Sequence, residues 1–383
     1  MPSGFFIPVK LTQKARKQKP AEFQHQKTGQ PVRGTLKTRL QSLYIPPAYK
    51  NLQVAQSASN KIQVVGEDTA GRTQYIYHDR YKAGLEKRKY ANLDELGRYI
   101  ILIEKDNHAA LTRILANPEL RLLSKPEHRL LSKPEDRLLS KPELIQIMIY
   151  MLRTYHFRIG CQKYAELYGS YGISTLRPQH FKPAANGDIS ITFIGKKGVK
   201  NQGTETRAQG KRLIQLLLQH YKNLKHGSSK SKARNPDYLF RYLDDVGDAK
   251  NKSGAHETGL ITSDDIQDFF KQKYDIYATP KMFRTWYANY HMLEYLRDTN
   301  LDELLIANPS KQKLATQIKT AIGEHVSRAL NNTPAICRKN YINNRLLVDI
   351  TARPKYYITE CRKQKTPEKL HKYLGRLLAY RSD

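Results

Sequence analysis

Ile62-Gln63-Val64-Val65-Gly66-Glu67-Asp68-Thr69-Ala70-Gly71-Arg72-Thr73-Gln74-Tyr75-Ile76-Tyr77 holds two short runs, Ile62–Gly66 and Thr73–Tyr77, rich in β-branched and aromatic residues and broken by glycine. Apolar and polar positions alternate, which predicts two strands of a small sheet. Helical spacing takes over near Leu93, so the sheet belongs to the N-terminal part. Upstream, residues 10 to about 43 are rich in Lys, Arg, Gln and Thr with few large apolar groups, which predicts a solvated basic arm without a packed core. The expected layout is an arm over 1–43, a β-rich domain over 44–90 and a mostly helical domain over 91–383.

Within the helical part, Leu144 to Leu167 carries Leu, Ile, Met, Tyr and Phe at spacings of three and four, which predicts one core helix with a broad apolar face. Ile189, Ile191 and Phe193 alternate with Ser190, Thr192 and Ile194 before a break at Gly195 and Gly198, the pattern of a hairpin. Arg-Leu-Leu-Ser-Lys-Pro-Glu occurs three times, beginning at Arg121, Arg129 and Arg137. A proline every eight residues prevents one continuous helix, so residues 121–143 read as a duplicated linker insertion. Residues 226–259 are polar around Tyr238-Leu239-Phe240-Arg241-Tyr242 and read largely as loop, and Thr262 with Asp265 marks the next helix start. The fold class is therefore α+β: a small β-rich domain followed by a larger helical one that contains a β-hairpin.

The 383 residues carry 66 Lys plus Arg against 35 Asp plus Glu, a net charge of +31 spread along the chain, which points to a polyanionic partner. No apolar run approaches the ~20 residues of a membrane span, and Phe5-Phe6-Ile7-Pro8-Val9 lacks the charge and cleavage site of a secretion signal, so an intracellular, DNA-associated protein is expected. Cys161, Cys337 and Cys361 lie far apart without CxxC pairing, which argues against disulfides and structural zinc. His156, His325 and His371 show no ligand spacing, and Asp244-Asp245 and Asp264-Asp265 suit turns and caps better than a metal site. No glycine-rich Gly-Lys-Ser/Thr loop occurs. Neither cofactor nor metal is implied.

Four further segments suggest transesterification of a phosphodiester: His156-Phe157-Arg158-Ile159-Gly160, Phe193-Ile194-Gly195-Lys196, Pro280-Lys281-Met282-Phe283-Arg284-Thr285-Trp286 and Asn331-Asn332-Thr333-Pro334-Ala335-Ile336-Cys337-Arg338-Lys339-Asn340-Tyr341. That reaction needs a nucleophile, a proton for the leaving oxygen and fixed donors for the charge that builds on the phosphate. Arginine suits the last task because its planar fork stays charged and grips phosphate through two bonds. Taken alone, Arg158 reads equally as an arginine reaching out from an apolar helix, Lys196 cannot be told from Lys197 or Lys200, and Tyr341 is one of 25 tyrosines.

Together these segments resemble the short type IB topoisomerases of poxviruses, large DNA viruses and some bacteria, over roughly residues 40 to 350 with interruptions. The resemblance implies a C-shaped clamp, acting as a monomer on double-stranded DNA without cofactor or metal. It assigns Tyr341 as nucleophile, Arg158 and Arg284 as phosphate ligands and Lys196 as the acid toward the leaving 5′ oxygen. It implies that Gln74, Tyr75 and Tyr77 touch the duplex, with Arg72 and the basic run from Arg80 near the backbone and Lys281 also facing DNA. One departure stands out, because Asn332 occupies the place where most relatives have histidine. An amide still donates to a phosphate oxygen but carries no charge. Two other readings share these residues. A tyrosine recombinase or integrase usually has histidine where Lys281 stands, and a DNA-binding clamp with weakened chemistry would accommodate Asn332.

Overall fold

A computed structural model describes residues 6–13, 21–116, 138–227, 237–243, 258–300, 303 and 310–379. The chain divides into two compact units, Met1–Tyr90 and Ala91–Asp383. The repeats beginning at Arg121 and Arg129 and most of the 226–259 stretch lie outside the described residues, whereas the third repeat is described from Leu138 onward and its Ser140–Glu143 opens a helix where a linker was expected.

The first unit contains β1 (Phe6–Gln13), β2 (Glu22–His25), α1 (Gly34–Ser42), β3 (Lys50–Ala55), β4 (Ile62–Glu67) and β5 (Thr73–Tyr77). They form one antiparallel sheet in the order β2-β1-β3-β4-β5. The opening stretch gives the β4–β5 hairpin, with Val65 opposite Tyr75 and Gly66 opposite Gln74. The basic arm expected over 1–43 is not what forms. Val9, Phe23, Val32 and Leu40 from that region join Leu52, Val54 and Val64 in the unit's core. Such widely spaced apolar residues look solvated in a short window, yet each contributes a full buried side chain once a sheet collects them.

The second unit is mostly helical. Helix α2 (Asp79–Ala116) contains the division between the units, and α3 (Lys141–Tyr155) follows, opened by a capping box of Ser140 and Glu143. The single helix expected over 144–167 is broken instead. His156 ends α3 in the left-handed region (φ 53°), residues 157–161 belong to no helix or strand, and α4 begins only at Gln162 (Gln162–Tyr168). Strands β6 (Phe181–Pro183), β7 (Ile189–Ile194) and β8 (Lys200–Glu205) form an antiparallel sheet in that order, burying Ile189, Ile191 and Phe193 as their alternation requires. Helix α5 (Ala208–Gly227) follows, then the short pair β9 (Arg241–Leu243) and β10 (Thr258–Leu260). The rest comprises α6 (Ser263–Tyr274), α7 (Pro280–Asp298), α8 (Lys311–Ala329), α9 (Pro334–Asn340), α10 (Asn344–Ala352), α11 (Pro354–Arg362) and α12 (Pro367–Ala379). Thr262 caps α6 as expected, accepting from Asp265 N while Asp265 accepts in return. Helix α7 is the central one: Trp286, Phe283, Leu293 and Leu296 are fully buried, and Trp286 donates to Nδ1 of His371 on α12 at 3.0 Å. Among the described residues no helix is long and apolar enough to cross a membrane.

Candidate active site

Arg158 sits on the extended segment after α3. Its carbonyl accepts from Ile173 N at 2.8 Å. Two glycines permit this crossing, since a Cβ on Gly172 would stand 2.5 Å from the Arg158 oxygen and one on Gly160 2.2 Å from Thr175 Oγ1. The break that was not expected from periodicity is therefore what fixes the arginine's backbone.

Arg284 is the fifth residue of α7, behind the Thr279 cap and Pro280. It is 1% exposed. Nη2 donates to Leu330 O at the end of α8 (3.0 Å), while Nε and Nη1 are buried without a hydrogen-bond partner. After α8 the chain reverses through Asn331 (φ 49°), whose Oδ1 accepts from Gln202 N on β8 at 3.0 Å, and Asn332 N donates to Ser327 O. Thr333 then caps α9 with Pro334 at the first helical position, and Tyr341 closes that helix, donating from its backbone N to Cys337 O.

Arg158, Lys196, Arg284, Asn332 and Tyr341 all line one cavity of 730 Å³, together with Lys281. Lys196 stands exposed on the turn between β7 and β8, where Gly195 is needed because a Cβ there would meet Asn201 Nδ2 at 2.3 Å. Arg158 Nη2 donates to Asn332 Oδ1 at 3.0 Å and approaches the Tyr341 hydroxyl at 3.5 Å. The Arg284 guanidinium lies 5.2 Å from the centre of the Tyr341 ring. Because Asn332 spends its oxygen on Arg158, its Nδ2 is a buried donor with no partner. Three unsatisfied N–H donors, two from Arg284 and one from Asn332, thus belong to residues that line one cavity with Tyr341. Leaving each unmade costs about 1–3 kcal/mol, so an oxyanion with several acceptor lone pairs is the natural complement.

Burial by itself would raise the Tyr341 phenol, but the charges of Arg284 and Arg158 outweigh it and hold the group below its ordinary value. Cys337 behaves oppositely: burial pushes its thiol up to about 11. Asn289, buried within α7, was not singled out by sequence. Its Nδ2 donates to Tyr341 O at 3.0 Å and its Oδ1 accepts from Asn343 N at 2.7 Å. The only signal was an amide in the aromatic-rich stretch Trp286–Tyr290, five residues after Arg284. His291 and Glu294 were passed over, and His325 was read as having no ligand spacing; among the described residues the three form a possible metal-binding group, and none of them lines the cavity.

The residues expected to touch DNA lie in the first unit, except Lys281. Asp68 organises them: Oδ1 accepts from Ala70 N and Arg72 N, and Oδ2 accepts from Arg72 Nε (2.9 Å) and Gln74 Nε2 (3.0 Å). The Arg72 side chain holds the Asp68 carboxyl down to about 2. Tyr75 and Tyr77 point to one face with ring centres 6.2 Å apart, Tyr75 being 40% exposed, and Arg80 is exposed at the start of α2.

Residues 129–366 match the family model for the catalytic core of eukaryotic DNA topoisomerase I. A relative from Acanthamoeba polyphaga mimivirus, DNA topoisomerase 1B, is 26% identical over 348 residues, covering 90% of this chain and 88% of the relative. The matched region contains every residue of the cavity described above, and the chain belongs to the eukaryotic DNA topoisomerase I catalytic-core family.

Proposed function

We propose the following course for this type IB DNA topoisomerase. Its two units close as a clamp on duplex DNA, and one phosphodiester enters the cavity with its non-bridging oxygens toward Arg284, Asn332 and Arg158. Tyr341 attacks phosphorus. The Tyr341–phosphorus bond forms, the bond to the 5′ oxygen breaks, the phenol proton leaves to solvent, and the Lys196 ammonium protonates the departing 5′ oxygen. The strand carries a 3′-phosphotyrosyl link while the free end rotates and supercoils relax. Attack by the 5′ hydroxyl then reverses each step. One phosphoester replaces another, so no nucleotide is consumed.

The observation that carries this reading is the set of partnerless donors on Arg284 and Asn332 beside a phenol held low by two arginines. Donors fixed before the reaction stabilise the extra charge of the transition state without rearranging. The protein is expected to act as a monomer.

Relaxation of supercoiled plasmid without ATP or added magnesium tests the proposal. The parent chain should relax the plasmid and form a covalent adduct on denaturant quench, and Tyr341→Phe should do neither. Relaxation by Tyr341→Phe would rule Tyr341 out as nucleophile.

A further inference from the structure

Three side chains outside the cavity converge between α7 and α8. The ligand-type atoms of His291, Glu294 and His325 all lie within 4.8 Å of one another. His291 Nδ1 is 2.7 Å from Glu294 Oε2 and His325 Nε2 is 3.9 Å from the same oxygen. Arg297 faces the other carboxylate oxygen, Oε1, at 3.7 Å, so Oε2 is left to the two imidazoles.

His291 Nε2 lies 2.8 Å from Nε2 of His156, whose Nδ1 is 3.2 Å from Leu152 O, so the His291 ring is held with Nδ1 toward Glu294. His325 Nε2 is buried without a hydrogen-bond partner, although it stands 3.9 Å from the same carboxylate oxygen. A cation placed between the three ligand atoms would partner all of them.

We propose that His291 Nδ1, Glu294 Oε2 and His325 Nε2 bind a divalent transition metal, with Zn2+ the best fit to two imidazoles and a carboxylate and a water in the fourth place. His156 serves as the outer partner that fixes the His291 tautomer. A tetrahedral ion with bonds of about 2.0–2.1 Å sets its ligand atoms roughly 3.4 Å apart, so small side-chain rotations convert the present spacings to a site. The three side chains are 17%, 27% and 31% exposed, open enough for an ion to enter.

The location gives the ion a task. His291 follows Arg284 by seven residues (291 − 284) along α7, and His325 precedes Asn332 by seven (332 − 325) along α8 and its exit. The ion would cross-link α7 and α8 about two turns from the donors proposed to face the phosphate. It takes no part in the bond-making steps.

The full chain, stripped with a chelator and dialysed, should take up one Zn2+ in competition with a chromophoric chelator, and its thermal midpoint should rise as it does. Co2+ in its place should give the absorption of a four-coordinate site. Glu294→Gln and His325→Gln should each weaken binding at least about tenfold. Absence of Zn2+ uptake by the parent chain overturns the proposal without reference to any variant. Uptake unchanged in both variants also overturns it, since the ion would then sit elsewhere.

Discussion

Arg158 and Asn332 are joined by a 3.0 Å hydrogen bond in which Arg158 Nη2 donates to Asn332 Oδ1, and this bond decides which way the amide faces. With its oxygen engaged, Asn332 turns its nitrogen into the cavity as a donor. Asn332, standing where the resemblance leads to the expectation of a histidine, therefore keeps an unspent N–H donor at that place. Asn332→Asp is the sharpest test, because it keeps the acceptor for Arg158 and replaces the donor with a negative charge. Single-turnover cleavage should fall by ~10²-fold or more in Asn332→Asp and Asn332→Ala, as for loss of one transition-state donor. Asn332→His should keep or raise the parent rate. Parent-like cleavage by Asn332→Ala would remove this residue from the mechanism.

Under the proposed mechanism, Arg284 is a stability cost retained for chemistry. It is buried, charged, and leaves Nε and Nη1 without partners. Replacing such a group with an apolar side chain of similar length is commonly neutral or stabilising by about 1–4 kcal/mol. Arg284→Met should therefore unfold at an equal or higher denaturant midpoint than the parent chain while losing nearly all relaxation activity. A marked drop in stability would mean that the bond to Leu330 O, not the waiting donors, is why the arginine is there.

The pH dependence of cleavage follows from the same pair of arginines. In the proposed mechanism Tyr341 attacks as it loses its proton, so the rate should rise with pH until the phenol is ionised and then level off. Burial acts to raise that ionisation, and Arg284 and Arg158 together bring it below the ordinary value. Removing a cation leaves burial less opposed. The rising limb of the single-turnover profile should move to higher pH in Arg158→Ala, and the variant should recover part of its lost rate as pH increases. A limb that stays in place would show that the charge near Tyr341 does not control its ionisation.

How much of this was legible in the sequence depends on distance along the chain. The β4–β5 and β7–β8 hairpins announce themselves because alternation and glycine breaks are local signals. The sheet strands before Leu40 do not, because Val9, Phe23 and Val32 become a core only when strands far apart in sequence meet. The helix break at His156 was hidden for a related reason: the residues that allow it, Gly160 and Gly172, act through packing against Thr175 and Arg158. The cavity residues were recognisable as motif members, yet the motif could not say that Asn332 would face inward or that Asn289 would hold the nucleophile's backbone.

Asn289 carries the last prediction. Its amide is fully buried and bridges α7 to both sides of Tyr341, donating to Tyr341 O and to Thr285 O and accepting from Asn343 N. It touches no reacting atom, so it is a positioning residue. Asn289→Ala leaves the Asn343 N–H and the Tyr341 carbonyl buried and unpaired, at about 1–3 kcal/mol each, and should lower unfolding stability by ~2–4 kcal/mol. Asn289→Asp keeps the acceptor for Asn343 and loses the donor to Tyr341. If placement of the nucleophile is its task, cleavage in Asn289→Asp should slow by ~10-fold or more while the affinity for duplex DNA is unchanged, since a small displacement of a reacting group is costly to rate. Equal losses in affinity and cleavage would assign Asn289 to the general integrity of the fold.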